Sequence, residues 1–372
     1  MEEVLIVTSS STTSMSFSSS TSSSSSSSGA TTGLAAFDMR GGGGVVASFK
    51  NCTAQPGAMC TIKGSSAFSG LGSYTAEYIA VSDTKKATIN IYTWGKPQPF
   101  MQYHIQEVAT AIVTDVRGAY LFAGCKTGKM ICWDLSNGDI LKSWQAHYKA
   151  ISRVQVTNCS SFVISSSDDG SVKVWDFPSI VDLLYKDTGI SRGDTVKPFR
   201  SYSPHVMPIK DIAIMGSRTA INVITCSLDK TVVMYDVCAD TTCLKIGFPS
   251  SLESILCNSS EDMMFAGASN GKIFIVDLAE RAVALSAAHS QIASVGTDGV
   301  GVLSAINSRE NTKGHMCLEG HTSSVTSLAI SIDNTTLVSA SSDCSIRIWD
   351  TITRQCLRES KPFHKSPLSN VS

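Results

Sequence analysis

Four histidines stand at a nearly constant distance before an aromatic residue: His104, His147, His205 and His321 lie 29, 28, 30 and 28 positions before Trp133, Trp175, Tyr235 and Trp349. Three aspartates keep a second fixed distance, Asp169, Asp229 and Asp343 each falling six positions before its aromatic. With Ser165 or Ser167 in one set and Ser339 or Ser341 in another, these are the residue types of a Ser-His-Asp nucleophilic triad. Repetition argues against that chemistry, since an active site has no reason to recur several times along one chain. Polar side chains enclosed between apolar layers must instead bond one another. The expectation is an idle, buried polar network, with no catalytic residue, metal ligand or cofactor site.

The elements that must position these residues are short strands. Runs rich in β-branched residues end in the same pair, KMICWD at Trp133-Asp134, SVKVWD at Trp175-Asp176 and SIRIWD at Trp349-Asp350. Weaker echoes end at Phe37-Asp38, Trp94, Tyr235-Asp236 and Val276-Asp277. From Phe37 onward the intervals are 57, 39, 42, 60, 41 and 73 residues. A period near forty with one aromatic-Asp strand per period is the pattern of a β-propeller blade. The long intervals hold polar, turn-rich inserts at 178–204 and 286–314. The expected fold is all-β, a single seven-bladed β-propeller over 1–372; six or eight blades also fit, because the two ends are the least regular.

Composition agrees with short buried strands joined by polar turns: 42% hydrophobic and only 16% charged. A net charge of −1 gives no broad basic footprint for nucleic acid. None of the 12 cysteines forms a C-x-x-C pair, and most sit in strand-like runs, the behaviour of small buried hydrophobes in a reducing compartment. The apolar stretch of MEEVLIVTSS is four residues long, too short for a signal peptide or a membrane span, so the expected location is intracellular with no membrane contact. Residues 9–28, of which 18 of 20 are Ser or Thr, read as a disordered loop expanded inside blade one. GCKTGK (124–129) and GASNGK (267–272) have three residues between their glycines instead of the four of a phosphate loop, and each precedes a strand, so they read as tight turns. Residues 362–372 read as a closing strand or tail: Val4–Val7, Leu34–Met39 and Val45–Phe49 supply three strands of blade one and the C-terminus the fourth.

The repeat pattern resembles the WD-repeat family across nearly the whole chain. That resemblance implies a definite wiring, in which the His bonds the turn Asp and a Ser or Thr on the second strand, and that hydroxyl reaches the Trp indole. Three longer pieces look like one subgroup: GLGSYTAEYIAVSDTKKATINIYTWGKPQP, LSNGDILKSWQAHYKAISRVQVTNCSSFVISSSDDGSVKVWDFPSIVDLL and GHTSSVTSLAISIDNTTLVSASSDCSIRIWDTITRQCLR. They resemble the WD-repeat subunit of the Rix-type complex (rixosome) that matures the large ribosomal subunit, most of all its plant members, the root-initiation-defective proteins. The distinctive parts are the Trp-Gly of blade two, the turn Ala146–Tyr148 and the apolar insert SIVDLLY at 179–185.

What that resemblance implies is scaffolding: a helical-repeat subunit and a midasin-type AAA ATPase as partners, pre-ribosomal particles as the setting, the nucleus (nucleolus and nucleoplasm) as the location with the cytoplasm as an alternative, and removal of the internal spacer from pre-ribosomal RNA as the process supported. In plants the demand would fall on meristems and initiating roots. Family members carry a helical tail that serves self-association; the sequence ends where that tail would begin, which leaves self-association open. The expected partner-binding stripe is Ile180, Leu183, Leu184 and Tyr185 in the first insert, against the alternative of a helix folded onto its own blade rim. The turns at His147–Ala150 and His321–Ser324 line a further candidate face. A different WD-repeat adaptor, such as a ubiquitin-ligase substrate receptor, is the competing reading. Receptors of that type place Arg or Lys three residues after the motif Trp, where this chain has Ser136, Pro178 and Ile352.

Overall fold

Strands form where β-branched runs are bounded by Asp, Ser and Gly turns, and here four such runs at a time make one antiparallel sheet. The computed structural model describes residues 4–9, 32–38, 45–50, 53–63, 76–83, 85–94, 96–181, 196–216, 220–278, 316–360 and 368–371. Among these residues there are seven four-stranded sheets. Their innermost strands are Leu368–Val371, Met59–Lys63, Ala109–Thr114, Ile151–Val156, Ile209–Gly216, Leu252–Cys257 and Val325–Ile330, taken here as sheets one to seven.

Each sheet buries both faces. Seven apolar clusters lie between consecutive sheets, and one of them joins the seventh sheet back to the first through Val338, Ala340, Ile346, Ala35 and Leu368. That arrangement is an all-β propeller. Sheet one runs Leu368–Val371, Val4–Ser9, Thr32–Asp38, Val45–Lys50, with Val7 opposite Val371. The two ends of the chain therefore share one sheet, and the edge that each would otherwise expose is paired.

The insert expected at 178–204 is narrower than its sequence suggested. Phe177–Val181 is a helical turn, and Arg200–Tyr202 is the fourth strand of sheet four, paired to Val172–Val174. Polar residues at 200–202 hid that strand, because the outermost strand of a sheet has one wet face and lacks the apolar run of the inner ones. Ser9 ends a strand; residues 10–28, 182–195 and 286–314 lie outside the described residues.

Five inner strands carry the same bulge, after Ala109, Ile151, Ile209, Leu252 and Val325. Each bulge leaves one residue of the inner strand out of the ladder. In sheets four and five the residue that follows the bulge is charged: Arg153 Nε donates to Asp211 Oδ1 at 2.8 Å, with both side chains buried. Asp211 also accepts the amides of Ile212 and, from sheet six, Ile255 at 3.1 Å. On its other side Arg153 lies against the turn that enters sheet two, so close that a Cβ at Gly57 would fall 2.1 Å from Nη1. That turn is in turn held by Asn370 of the closing strand, whose Oδ1 accepts the Gly57 amide at 2.6 Å and whose Nδ2 donates to Gln55 O. One guanidinium thus bonds sheet five and packs against the turn that enters sheet two.

Two outcomes follow from this wiring. Asp211→Ala leaves Arg153 buried without a counter-charge and costs about 3–5 kcal/mol, read as a lower denaturant midpoint. Deleting residues 363–372 removes the inner strand of sheet one and lowers the thermal midpoint in calorimetry. An unchanged midpoint in either variant would show that the buried pair and the seam carry no load.

Candidate functional site: the buried histidine networks and the turns they fix

In sheets four, five and seven the turn before the inner strand places a histidine four residues ahead of it: His147 before Ile151, His205 before Ile209, His321 before Val325. Each imidazole points into the layer between strands. In sheet seven, Trp349 Nε1 donates to Ser339 Oγ at 2.8 Å, and Ser339 Oγ lies 2.7 Å from His321 Nε2. His321 Nδ1 lies 3.1 Å from Asp343 Oδ2 and 3.0 Å from Ser345 Oγ. Sheet four repeats this with Trp175, Ser165 and His147 at 2.9 and 2.8 Å, and there His147 reaches Asp169 through Ser171. In sheet five His205 bonds Thr225 at 2.9 Å and Asp229 at 2.8 Å.

Donor counting orders these contacts. An indole N–H can only donate, so the serine accepts it and spends its own proton on His Nε2, which must be unprotonated. His Nδ1 then carries the hydrogen and gives it to the carboxylate or its hydroxyl bridge. Every proton in the relay is used once. The bond pattern is that of a Ser-His-Asp triad, yet Ser165, Thr225 and Ser339 are 0% exposed. A nucleophile needs an approach path for its substrate, and these hydroxyls have none.

Of the two serines open in each set, the structure selects Ser165 and Ser339; Ser167 and Ser341 instead accept the amides of Asp169 and Asp343. The bridging hydroxyls Ser171, Thr231 and Ser345 were missed. Their signal is visible in retrospect as a Ser or Thr two residues after each turn Asp, where it donates back to that carboxylate. Tyr235 stands where the Trp should be but does not close the relay: it stacks on Tyr202 at 3.8 Å, and its hydroxyl donates to Asp240.

Three expected members differ. His104 is exposed at the end of the outer strand Met101–His104, paired with Thr88. It falls five residues before its inner strand where the others fall four, so it stays in the ladder and never turns inward. Trp133 is buried between sheets two and three, but the residue ten positions before it is Ala123 and the residue six before it is Thr127, so no hydroxyl-histidine-carboxylate chain is available. Thr127 bonds Glu107 instead, and Glu107 pairs with Lys129 at 3.0 Å. Ile180 is not an exposed partner contact. It is 1% exposed, packed with Trp144, Trp175, Phe177 and Phe122 under the rim of its own sheet. Leu183, Leu184 and Tyr185 lie outside the described residues.

The turns holding the histidines are clamped from the neighbouring sheet. Gly128 and Gly271 sit at φ +85° and +82°, and a Cβ on either would meet the carbonyl oxygen of His147 or His321 at 2.2 Å. Glycine is required there for both reasons. Among the described residues no three His, Cys, Asp or Glu side chains group as metal ligands.

Burial pushes the His147 imidazole down to about 4, against the opposing pull of Asp169, and lowers His205 and His321 in the same way. Burial opposes the charge of Asp343 as well, but hydrogen bonds from Ser345 and from the Thr322 and Ser345 amides outweigh it and bring the carboxyl to about 2. Neutral imidazoles facing ionised carboxylates are what the relay requires.

Comparison with known proteins places these repeats. The family described as WD domain, G-beta repeat matches residues 138–176 and 313–350, the two stretches that contain His147–Trp175 and His321–Trp349. The chain carries WD repeats. It is 26% identical over 299 residues to WD repeat-containing protein 18 of Danio rerio, covering 80% of this chain and 62% of that protein. It is 24% identical to pre-rRNA-processing protein IPI3 of Candida albicans, covering 82% and 64%, and 25% identical to protein ROOT INITIATION DEFECTIVE 3 of Arabidopsis thaliana, covering 76% and 58%. These relatives match the family resemblance drawn from the sequence. The chain spans about three fifths of the length of the curated relatives it matches. In fold it is similar to the crystal structure of the computationally designed Ika8 protein, with a TM-score of 0.58 at 18% identity, covering 93% of this chain and 88% of that one.

The histidines set a pH dependence. A folded-state value below the ordinary 6.5 means that the unfolded chain binds the proton first, so stability is full above about pH 7 and falls as the pH drops through 6.5 toward 4. Burial raises Asp211, so this one carboxyl works in the opposite direction, against the three imidazoles. Thermal midpoints measured from pH 8 to pH 5 fall on acidification, and His321→Gln flattens part of the slope. A midpoint that rises toward pH 5 would mean that the imidazoles are charged in the fold.

Proposed function

We propose that this WD-repeat propeller is a non-catalytic scaffold of nuclear large-ribosomal-subunit maturation, built as one seven-bladed ring from all seven sheets. Its setting is precursor particles undergoing internal-spacer processing of pre-ribosomal RNA. The observation that carries this reading is likeness over roughly four fifths of the chain to proteins named for pre-rRNA processing. The buried networks support the non-catalytic part: each His-Asp-Ser set has spent its protons inside the sheet, so what the molecule offers to others is its surface.

The partners proposed are a helical-repeat subunit and a midasin-type AAA ATPase, and the location the nucleolus and nucleoplasm. A plant chain of this kind would support meristem growth and root initiation, in keeping with the name of the Arabidopsis relative. With Ile180 committed to the core, the proposed contact residues of the insert reduce to Leu183, Leu184 and Tyr185.

Affinity purification of the full chain from nuclear extract tests the proposal. Recovery of large-subunit precursors together with a midasin-type ATPase is the expected result; recovery of a cullin adaptor in their place would transfer the chain to the ubiquitin-ligase receptors. Replacing Leu183 and Leu184 by Asp abolishes recovery of the helical-repeat subunit while leaving the melting curve unchanged. Retained capture would remove the insert from the interface.

A further inference from the structure

Burial of a histidine forces display of its successor. His147 and His205 are locked into their sheets, and the residue after each is thrown almost wholly into solvent: Tyr148 is 93% exposed and Val206 96%, with Met207 beside it at 45%. The two turns are neighbours. The Tyr148 amide donates to Asp169 at 3.4 Å, and the adjoining Gly170 packs so closely on the next turn that a Cβ there would lie 2.4 Å from His205 O and 3.5 Å from Met207 O. In sheet seven the corresponding position is Thr322, so of the three buried histidines only those of sheets four and five are followed by a large apolar residue.

The unpaired charge around this junction is cationic, since the nearby Glu107 carboxylate is taken up by Thr127 and Lys129. Lys126, Lys149 and Lys230 are exposed, and none forms an ion pair among the described residues. The carboxylates of Asp169 and Asp229 are turned inward, taken up by histidine, hydroxyl and amide donors. Asp168 is half-buried. Outward, the junction is apolar and cationic.

We propose that the turns Tyr148–Lys149 and Val206–Met207 form a docking surface for an extended acidic protein segment bearing large apolar residues. Its apolar side chains cover Tyr148, Val206 and Met207, and its carboxylates meet Lys126, Lys149 and Lys230. Charge complementarity selects the acidic segment. Two of the three apolar residues are aliphatic and offer no ring face for a nucleobase, which favours protein over RNA. The surface is rigid before binding, because the histidine networks fix the backbone on both sides, so little ordering entropy is lost on docking. It is a property of the ring itself and holds whichever complex the chain joins.

The test is selection of a library of random peptides, each about twelve residues long, on the full chain, with the Val206→Asp chain as counter-selection and single-stranded RNA as a second probe. Enriched peptides combine Asp or Glu with Leu, Ile or Phe. They lose roughly tenfold or more in affinity to Tyr148→Ala and to Val206→Asp, as expected of centrally placed anchors. Lys149→Glu with Lys230→Glu weakens them further and turns the preference toward basic peptides. Both apolar positions are solvent-exposed, so melting midpoints stay unchanged and serve as the folding control. Enriched peptides without acidic bias, peptides that bind the variants equally, an absence of enrichment over Val206→Asp, or RNA that binds more tightly and is lost in the same variants would each overturn the proposal.

Discussion

Among the described residues, no strand in the middle of a sheet carries an exposed side chain. Apolar neighbours cover both sides, so any polar side chain on the second or third strand must find its partner within the protein or carry the full cost of lost hydration. This constraint explains the residue choices at the motif positions. An indole that must be buried for its size brings one N–H with it; a serine takes that proton and needs an acceptor; a neutral imidazole supplies the acceptor and then needs one of its own; the turn carboxylate closes the series at the protein edge, where backbone amides hold it. Removing any middle member leaves two unsatisfied groups rather than one. The set recurs whole in sheets four and seven, loses only its indole end in sheet five, and is replaced in sheet three by Ala123 and the Thr127–Glu107–Lys129 cluster.

Between the inner strands the same constraint has a harsher form, because the groups are charged. Beside the bulges of the inner strands of sheets four and five, Arg153 and Asp211 pair with little water around them. A buried pair of this kind is weak evidence for added stability, since desolvation offsets most of the attraction. Its effect is specificity: Asp211 has acceptor capacity for sheets four, five and six together, and Arg153 touches the turn that Asn370 anchors. The pairing is satisfied only when these sheets and the closing strand hold the correct relative positions.

The repeating strands, the motif aromatics and three of the four histidines were legible because their spacing is imposed by a ring of near-identical sheets. What was not legible had lost that periodic frame. His104 was counted backward from Trp133, and loops between strands absorb a one-residue slip; counting forward to the inner strand separates it from the other three. Ile180 sits in an apolar stripe wide enough for either a partner or the chain's own rim, and the sequence does not say which surface is nearer. Trp144 and Trp175, packed edge to face at 5.6 Å, supply that surface. Arg153 and Asp211 are 58 residues apart, in different repeats, and meet only because the ring curves.

Rigidity at the turns has a consequence for recognition. The residue following a buried histidine is not free to fold back, because its own amide is engaged by the turn carboxylate, as at Tyr148 and Thr322. The identity of that residue can change without touching the network, since its side chain contributes nothing to the core. Sheet seven presents a small hydroxyl there and sheets four and five present Tyr and Val on the same scaffold. Stability and surface chemistry are thus separated by a single peptide bond: the histidine answers to the interior, its successor to whatever approaches from outside. A fold built this way can alter its surface chemistry without repacking its sheets.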